Sequence, residues 1–410
     1  MENTTIQNKF TSYQAFIVAI LAILQFTVVL DFMVLSPLGA ILMPELKILP
    51  SEFGLVVSAY AFSAGASGLL AAGFADKFDR KKLLIFFYTG FVLGTLFCAL
   101  APNYELLLAA RIVTGLFGGV ISSISFAIIS DLFAMQLRGR VMGFVQMAFG
   151  VSQVLGIPIG LWLANNYGWH SPFMMIVIFS IAIGVVLVIF MKPINEHLKL
   201  KSDKNPFLHL WHTISNTNYI KGFFGTVLLA TGGFMLMPFS SAFSTNNIKI
   251  SMDDLPIVYG VTGVFTMIAG PLMGKLSDKI GKYKVFVIGT IISMVMVIIY
   301  TKLGVTSLGI VILVNVILFI GITSRIISAT ALMTAVPNPQ DRGAFMSINS
   351  SIQQISGGIA AGVAGLIVVQ TPSGVLEHFD TLGYVVLVSM IAAAGFMYVV
   401  NKMVMAKTKG

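Results

Sequence analysis

Long apolar runs follow one another along almost the whole chain, each close to the length of a bilayer crossing. A spanning helix needs about 20 mostly apolar residues, with a range of roughly 17–25. Runs at 14–42, 53–75, 83–101, 106–131, 141–164 and 173–191 meet that need. So do runs at 219–243, 256–274, 285–301, 307–333, 344–369 and 382–401. The first and tenth are longer than a straight crossing requires, so they are expected to tilt or break. Only 10% of the 410 residues are charged and 57% are hydrophobic. A soluble domain carries roughly 25% charged residues, so most of the outer surface must face lipid. The expected fold class is an all-α membrane protein of twelve transmembrane helices.

Charge placement sets the expected orientation. Twenty of the 25 lysines and arginines fall in alternate gaps or tails that share one side. Lys47, Lys249 and Lys302 lie on the other side, and Arg111 and Arg325 fall inside runs. Basic residues stay in the cytoplasm, so both termini are expected there and the protein in the cell (inner) membrane. The same placement explains the net charge of +9 without a nucleic-acid partner. The polar segment MENTTIQNKF lacks the basic-then-apolar order of a cleaved signal, so the first run is expected to be a permanent helix. Cys98 lies in an apolar run and offers no intrachain disulfide.

The twelve runs divide as 1–191, a hydrophilic linker at 192–218, and 219–410. An internal repeat supports this 6+6 plan. FADKFDRKK after the second run is echoed by LSDKIGKYK after the eighth, with Asp76 and Asp278 202 residues apart. Arg138-Gly139 is echoed by Arg342-Gly343 at an offset of 204. A duplicated six-helix unit puts a substrate path between the two halves, near the midplane.

On these features the sequence resembles the major facilitator superfamily, and within it the twelve-helix drug/proton antiporter branch and its metabolite-efflux relatives. The family loop G-x-L-a-D-r-x-G-r-k is matched well by Gly274–Lys282, with Asp278 and Lys282. The copy at Ala72–Lys81 keeps Asp76, Arg80 and Lys81 but has Ala72 and Asp79 where the pattern has glycine. Aspartate tolerates unusual backbone angles, so the turn there is expected to be built differently. Arg111-Ile112-Val113-Thr114-Gly115 is similar to R-x-x-q-G, and Gly156-Ile157-Pro158-Ile159-Gly160 to the antiporter G-P-x-x-G motif with one extra residue. Leu30-Asp31 matches the helix-one aspartate of proton-linked exporters, and Gly168–Phe173 the G-W-R-x-x-F turn with His170 for arginine. The resemblance implies two six-helix pseudo-repeats and transport by alternating access. It also implies a cytoplasmic latch, with Asp76 near the start of helix eleven and Arg80 against Asp131. Topology alone is the other reading of those loop charges.

Ionisable residues inside a bilayer face a partner or a wet cavity. At 1.5 Å per residue, Arg111 lies about 8 Å and Asp31 about 10–17 Å in from the outer ends of their helices, so an ion pair is within reach. Burial disfavours the charged form of a carboxylate, whereas a neighbouring guanidinium favours it. Asp31 is therefore the candidate proton carrier and Arg111 the fixed cation that tunes it. A static pair that only fixes packing is the alternative. Arg325 has no charged counterpart in helix four, and a lone arginine facing a cavity attracts an anionic or polar substrate group. Gln25, Tyr60, Gln146, Gln153, Asn315, Asn349 and Gln353 complete the polar candidates for a cavity lining. Gly156, Pro158 and Gly160 suit a bend or a tight helix contact.

The expected function is proton-coupled efflux of a small amphipathic compound by a monomer. A sugar or organic-anion symporter and a lipid translocator are the rivals within transport, and a membrane enzyme or a receptor the rivals outside it. No nucleophile–base or metal constellation is evident. His209 and His212 stand three apart without a further ligand, so no metal or other cofactor is expected. No P-loop supplies ATP chemistry, which leaves a gradient as the energy source.

Overall fold

The computed structural model describes residues 10–74, 77–133, 135–199, 206–338 and 341–409. The first six spans are α1 (Ser12–Val34) with its short extension α2 (Gly39–Leu46), α3 (Pro50–Phe74), α4 (Arg80–Leu100), α5 (Tyr104–Leu132), α6 (Met135–Val151) running into α7 (Ile157–Tyr167), and α8 (Ser171–Phe190). A connecting helix α9 (Pro206–Ser215) follows. The second six are α10 (Thr217–Phe234) with α11 (Ser240–Asn246), α12 (Leu255–Ile280), α13 (Lys282–Thr301), α14 (Leu308–Ala335), α15 (Arg342–Ile367) and α16 (Phe379–Lys409). Before α16, the two-residue strands β1 (Val369–Gln370) and β2 (Leu376–Glu377) pair antiparallel.

Eleven of these spans are long and apolar enough to cross a membrane among the described residues. The twelfth, α15, is more polar, with Ser350, Ser351, Gln353, Gln354 and Ser356 in its middle. Its 26 residues give about 39 Å at 1.5 Å per residue, ample for a crossing. Its composition fits its position, because α15 packs along α3 more extensively than any other helix pair packs. Lipid-facing helices show the opposite chemistry. On α8, Ile178, Ile189 and Phe190 are exposed, as a helix facing hydrocarbon requires.

The first long run does break, between α1 and α2, beside Pro37. The tenth does not: α14 is one continuous helix of 28 residues. The seventh breaks instead, at the 3-10 turn Met237–Phe239 that contains Pro238. Proline removes a backbone donor and disfavours helix in the residue before it. The two breaks therefore occupy matching places in the two pseudo-repeats.

The two copies of the loop motif solve one turn in two ways. Gly281 leads into α13 at φ 102°, ψ 138°, a conformation open to glycine and costly for other residues. Asp79 leads into α4 at φ −56°, ψ 127° and accepts a hydrogen bond from the Lys82 backbone N–H at 3.1 Å. The aspartate thus does not use unusual backbone angles. It caps the helix from ordinary extended backbone, satisfying one of the unpaired amides of the first turn.

Two seams join the first six spans to the second six. Along α3 and α15, Ser58 Oγ lies 2.7 Å from the carbonyl oxygens of both Gly54 and Gly358. At the other seam, α6 and α7 pack on α12. The two sets also meet at one end of the bundle. There Asn165 donates to the Met252 carbonyl at 2.7 Å and Ser241 to the Ser36 carbonyl at 3.3 Å. In the same region Phe53 meets Phe239 edge to face at 6.0 Å.

Candidate functional site: a buried ion pair in the first six spans

Asp31 sits near the end of α1, and Arg111 lies in the second turn of α5. The structure brings them together. Arg111 Nη1 donates to Asp31 Oδ2 at 2.7 Å, with both side chains fully buried. The same nitrogen lies 3.4 Å from the Asp31 carbonyl oxygen. The other carboxylate oxygen, Oδ1, accepts from Thr95 Oγ1 of α4 at 3.2 Å. The pair is thus held at the meeting point of three helices.

A fourth helix supplies a ring. The Arg111 guanidinium carbon lies 4.5 Å from the centre of the Tyr60 ring on α3. A face-on aromatic attracts a cation by about 0.5–2 kcal/mol. Glycine lets the backbones approach this closely. A Cβ on Gly115 of α5 would collide with Ser63 Oγ, and one on Gly119 with the Ala64 carbonyl oxygen of α3. Arg111 Nε and Nη2 have no hydrogen-bond partner among the described residues. The site therefore holds more donors than the carboxylate fills.

Tyr60 also links the pair to the second six spans. Its ring packs on Phe32 of α1 at 5.3 Å, and Phe32 packs on Phe234 of α10 at 5.9 Å. Phe234 in turn covers Gly357 of α15. A side-chain path thus runs from the ion pair to the α3–α15 seam.

The remaining polar candidates do not gather into one cluster. Gln25 accepts from Ser122 of α5 at 3.0 Å, and Asn349 from Thr226 of α10 at 2.6 Å. Asn315 bonds its own helix at the Val311 carbonyl, 2.9 Å away. Gln146 and Gln353 are exposed and Gln153 is half-buried. Arg325 is buried against α10, α13 and α16, away from Asp31 and Arg111.

In the helix-five motif, the helix passes through a π-helical turn at Ser152–Gly156 just before Pro158. The wider turn absorbs the missing proline donor. A Cβ on Gly160 would stand 2.7 Å from Val34, and one on Gly156 would collide with Leu30. Gly156 and Gly160 therefore press the π-helical turn and α7 onto α1 at the residue before Asp31 and about one turn after it. Pro158 lies against Gly260 of α12.

At the other end of α4 and α5, Arg80 Nε donates to Asp131 Oδ2 at 3.0 Å. The Arg80 backbone N–H donates to the Ile194 carbonyl at 3.0 Å, and Lys81 Nζ to the Val188 carbonyl at 2.9 Å. These contacts tie α4 to α5 and α8. Asp76 lies outside the described residues. In the second copy, Asp278 pairs with Lys282 at 3.1 Å as an exposed neighbour, the kind of pair worth about 0–1 kcal/mol.

Sequence reading did not single out Thr95, Ser122 or the π-helical turn. A threonine in an apolar run carries no mark of its own, and its role depends on which face of α4 meets Asp31.

Known proteins show the same architecture. The D-xylose-proton symporter superimposes with a TM-score of 0.77 at 18% identity, covering 94% of this chain and 98% of that one. A bacterial homologue of the human lysosomal transporter Spinster, inward-facing and unoccupied, gives 0.72 at 16% identity over 97% of each chain. At such identities the likeness is one of fold. By sequence, the MFS-type transporter YbcL of Bacillus subtilis (strain 168) is 23% identical over 375 residues, 91% of this chain and 94% of the relative. Multidrug resistance protein 3 of the same organism is 30% identical over 156 residues, 37% of this chain and 30% of the relative. The family model of the Major Facilitator Superfamily matches residues 21–361 and, again, 222–408. With the twelve-helix pseudo-repeat and the motifs of helices one, four and five, that match makes the chain a member of the Major Facilitator Superfamily, a membrane transporter and not an enzyme.

Proposed function

We propose that the protein is a proton-coupled exporter of a small amphipathic compound, working by alternating access, with Asp31 as the proton carrier. The observation that carries this reading is the carboxylate of Asp31, fully buried yet shared between Arg111 and Thr95. A carboxylate with one charged and one neutral donor has a bound alternative for each protonation state. As a carboxylate it takes Arg111. As an acid it keeps an acceptor for Thr95. A shift of α1 against α5 would therefore move the proton affinity of Asp31, which is what coupling to a gradient needs. Export, and not uptake, is supported by the resemblance to the drug/proton antiporter branch and by the similarity to Multidrug resistance protein 3.

In this reading residues 1–191 and 219–410 form two bundles joined by the cytoplasmic linker 192–218. Both termini lie in the cytoplasm of a cell-membrane protein that acts as a monomer. The contacts Asn165–Met252 and Ser36–Ser241 close the outer end. Tyr60 and Gln25 are the candidate lining nearest the ion pair, and Arg80 with Asp131 is the candidate inner latch.

The test is Asp31→Asn in liposomes. A panel of amphipathic dyes and metabolites first identifies a compound that the wild type moves against an imposed pH gradient. The variant is expected to lose gradient-driven transport of that compound. Unimpaired transport would sink the proposal.

A further inference from the structure

Arg325 poses a separate problem. It lies on α14 at 2% exposure, and its Nε and Nη2 atoms have no hydrogen-bond partner among the described residues. Its guanidinium carbon lies 5.7 Å from the centre of the Phe286 ring on α13. Among the described residues no acidic side chain forms an ion pair with it. The acids of the second six spans, Asp253, Asp254, Asp278, Asp341, Glu377 and Asp380, all sit in turns, at helix ends or, for Glu377, in β2. A ring at that distance offsets only part of the cost of burying an uncompensated charge. A charge held on those terms in the membrane marks a functional site. The first pseudo-repeat has no equivalent. The 204-residue offset maps Arg325 onto Ile121, so the feature is not a relic of the fold's symmetry.

A glycine borders the guanidinium. A methyl group built on Gly232 of α10 would make ordinary contacts: 3.6 Å to Met390 Cγ, 3.7 Å to Ser389 Oγ and 3.8 Å to Arg325 Nη2. A side chain at position 232 would therefore begin against a guanidinium nitrogen and α16, and glycine leaves that side of the guanidinium uncrowded. Its neighbour Gly233 is exposed, and a Cβ there would meet nothing within 4 Å. At this level α10 offers no side chain to block approach. Ser328, one turn beyond Arg325, and Ser293 on α13 also carry buried hydroxyls without partners, so the surroundings hold further unused donors.

We propose that Arg325 is the fixed cation of a binding site for a compact monovalent anion, a halide ion or the carboxylate of a transported compound, seated beside Gly232 between α10, α14 and α16. One negative charge offsets the single buried cation, whereas sulfate or phosphate would bury a second, uncompensated charge. The charge of arginine is permanent, so the site does not depend on the protonation of Asp31 and does not rest on the proton-coupling reading.

The experiment uses the full chain in lipid nanodiscs and reads the thermal unfolding midpoint. Chloride and acetate are titrated separately against gluconate at constant ionic strength, with sulfate as control. A ligand that binds only the folded state stabilises by mass action. The wild type is expected to gain about 2–4 °C, saturably, with chloride, acetate or both, and nothing with sulfate. Response to chloride points to a free halide, and response to acetate alone points to carboxylate-bearing compounds. Gly232→Ala fills the space without a steric clash and is expected to abolish the response, as is Arg325→Gln. Asp31→Asn is expected to retain it. No anion response in the wild type, or the same response in Gly232→Ala as in the wild type, overturns the proposal.

Discussion

Arg111 Nη1 stands 2.7 Å from Asp31 Oδ2, and neither side chain has any exposure. Removing one member of such a pair strands the other charge. Arg111→Met and Asp31→Asn are each expected to destabilise the protein, by about 1–3 kcal/mol and 3–5 kcal/mol respectively, the larger cost falling where a buried arginine, which cannot shed its proton, loses its counter-charge. The double variant Asp31→Asn/Arg111→Met is expected to recover much of that stability and no gradient-driven transport. Thermal unfolding in nanodiscs and liposome transport on the same preparations separate the two effects. Additive losses in the double variant would show that the residues do not act as a pair.

The turn before α4 and the turn before α13 offer a reciprocal test. Gly281 holds φ 102°, where a side chain costs about 1–3 kcal/mol. Gly281→Asp is therefore expected to destabilise by that amount, although aspartate is the native residue at the matching position 79. Asp79→Ala removes a helix cap and is expected to cost about 0.5–2 kcal/mol. Denaturation midpoints of the two variants check both signs.

Close backbone contact between α3 and α5 underlies the ion-pair site. A Cβ on Gly119 would collide with the Ala64 carbonyl oxygen, whereas one on Gly143 of α6 meets nothing within 4 Å. Gly119→Ala is expected to cost about 1–3 kcal/mol through overpacking. Gly143→Ala is expected to stay within about 0.5 kcal/mol of the wild type. Equal midpoints for the two would contradict the packing described for α3 and α5.

Much of this architecture is written in local chemistry. Apolar run length marks the spans, basic residues mark the loops, and Pro37 and Pro238 mark the breaks after α1 and α10. Asp31 and Arg111 stand out because charge is rare in such runs. What lies beyond reading is whatever depends on helix rotation and backbone detail. Thr95 looks like any threonine in a membrane helix until α4 turns it toward Asp31. Asp79 reads as a departure from a glycine pattern, and only its dihedral angles show that it caps α4. The length of the tenth run leaves tilt and break both open, and α14 is one long unbroken helix, because length alone does not distinguish the two. Arg325 is visible in the sequence as a lone charge, but its burial against Phe286 and Gly232 is a property of how α10, α13, α14 and α16 assemble.

The inner pair at the ends of α4 and α5 gives a further prediction. Arg80 and Asp131 are 3.0 Å apart at 5% and 24% side-chain exposure. Exchanging them, Arg80→Asp/Asp131→Arg, is expected to restore most of the activity that either single reversal removes by 10-fold or more, about 1.4 kcal/mol per factor of ten. Transport rates of the three variants measure the coupling. A double variant no better than the worse single would assign the two residues separate roles.

Asp31 is proposed to couple protons to movement and to do more than fix packing. The most direct measurement compares two modes of transport in the same Asp31→Asn liposomes: exchange of labelled for unlabelled compound with no gradient, and accumulation driven by an imposed pH gradient. Exchange is expected to persist near the wild-type rate while gradient-driven accumulation is lost. Loss of both together, or survival of both, would contradict that role for Asp31.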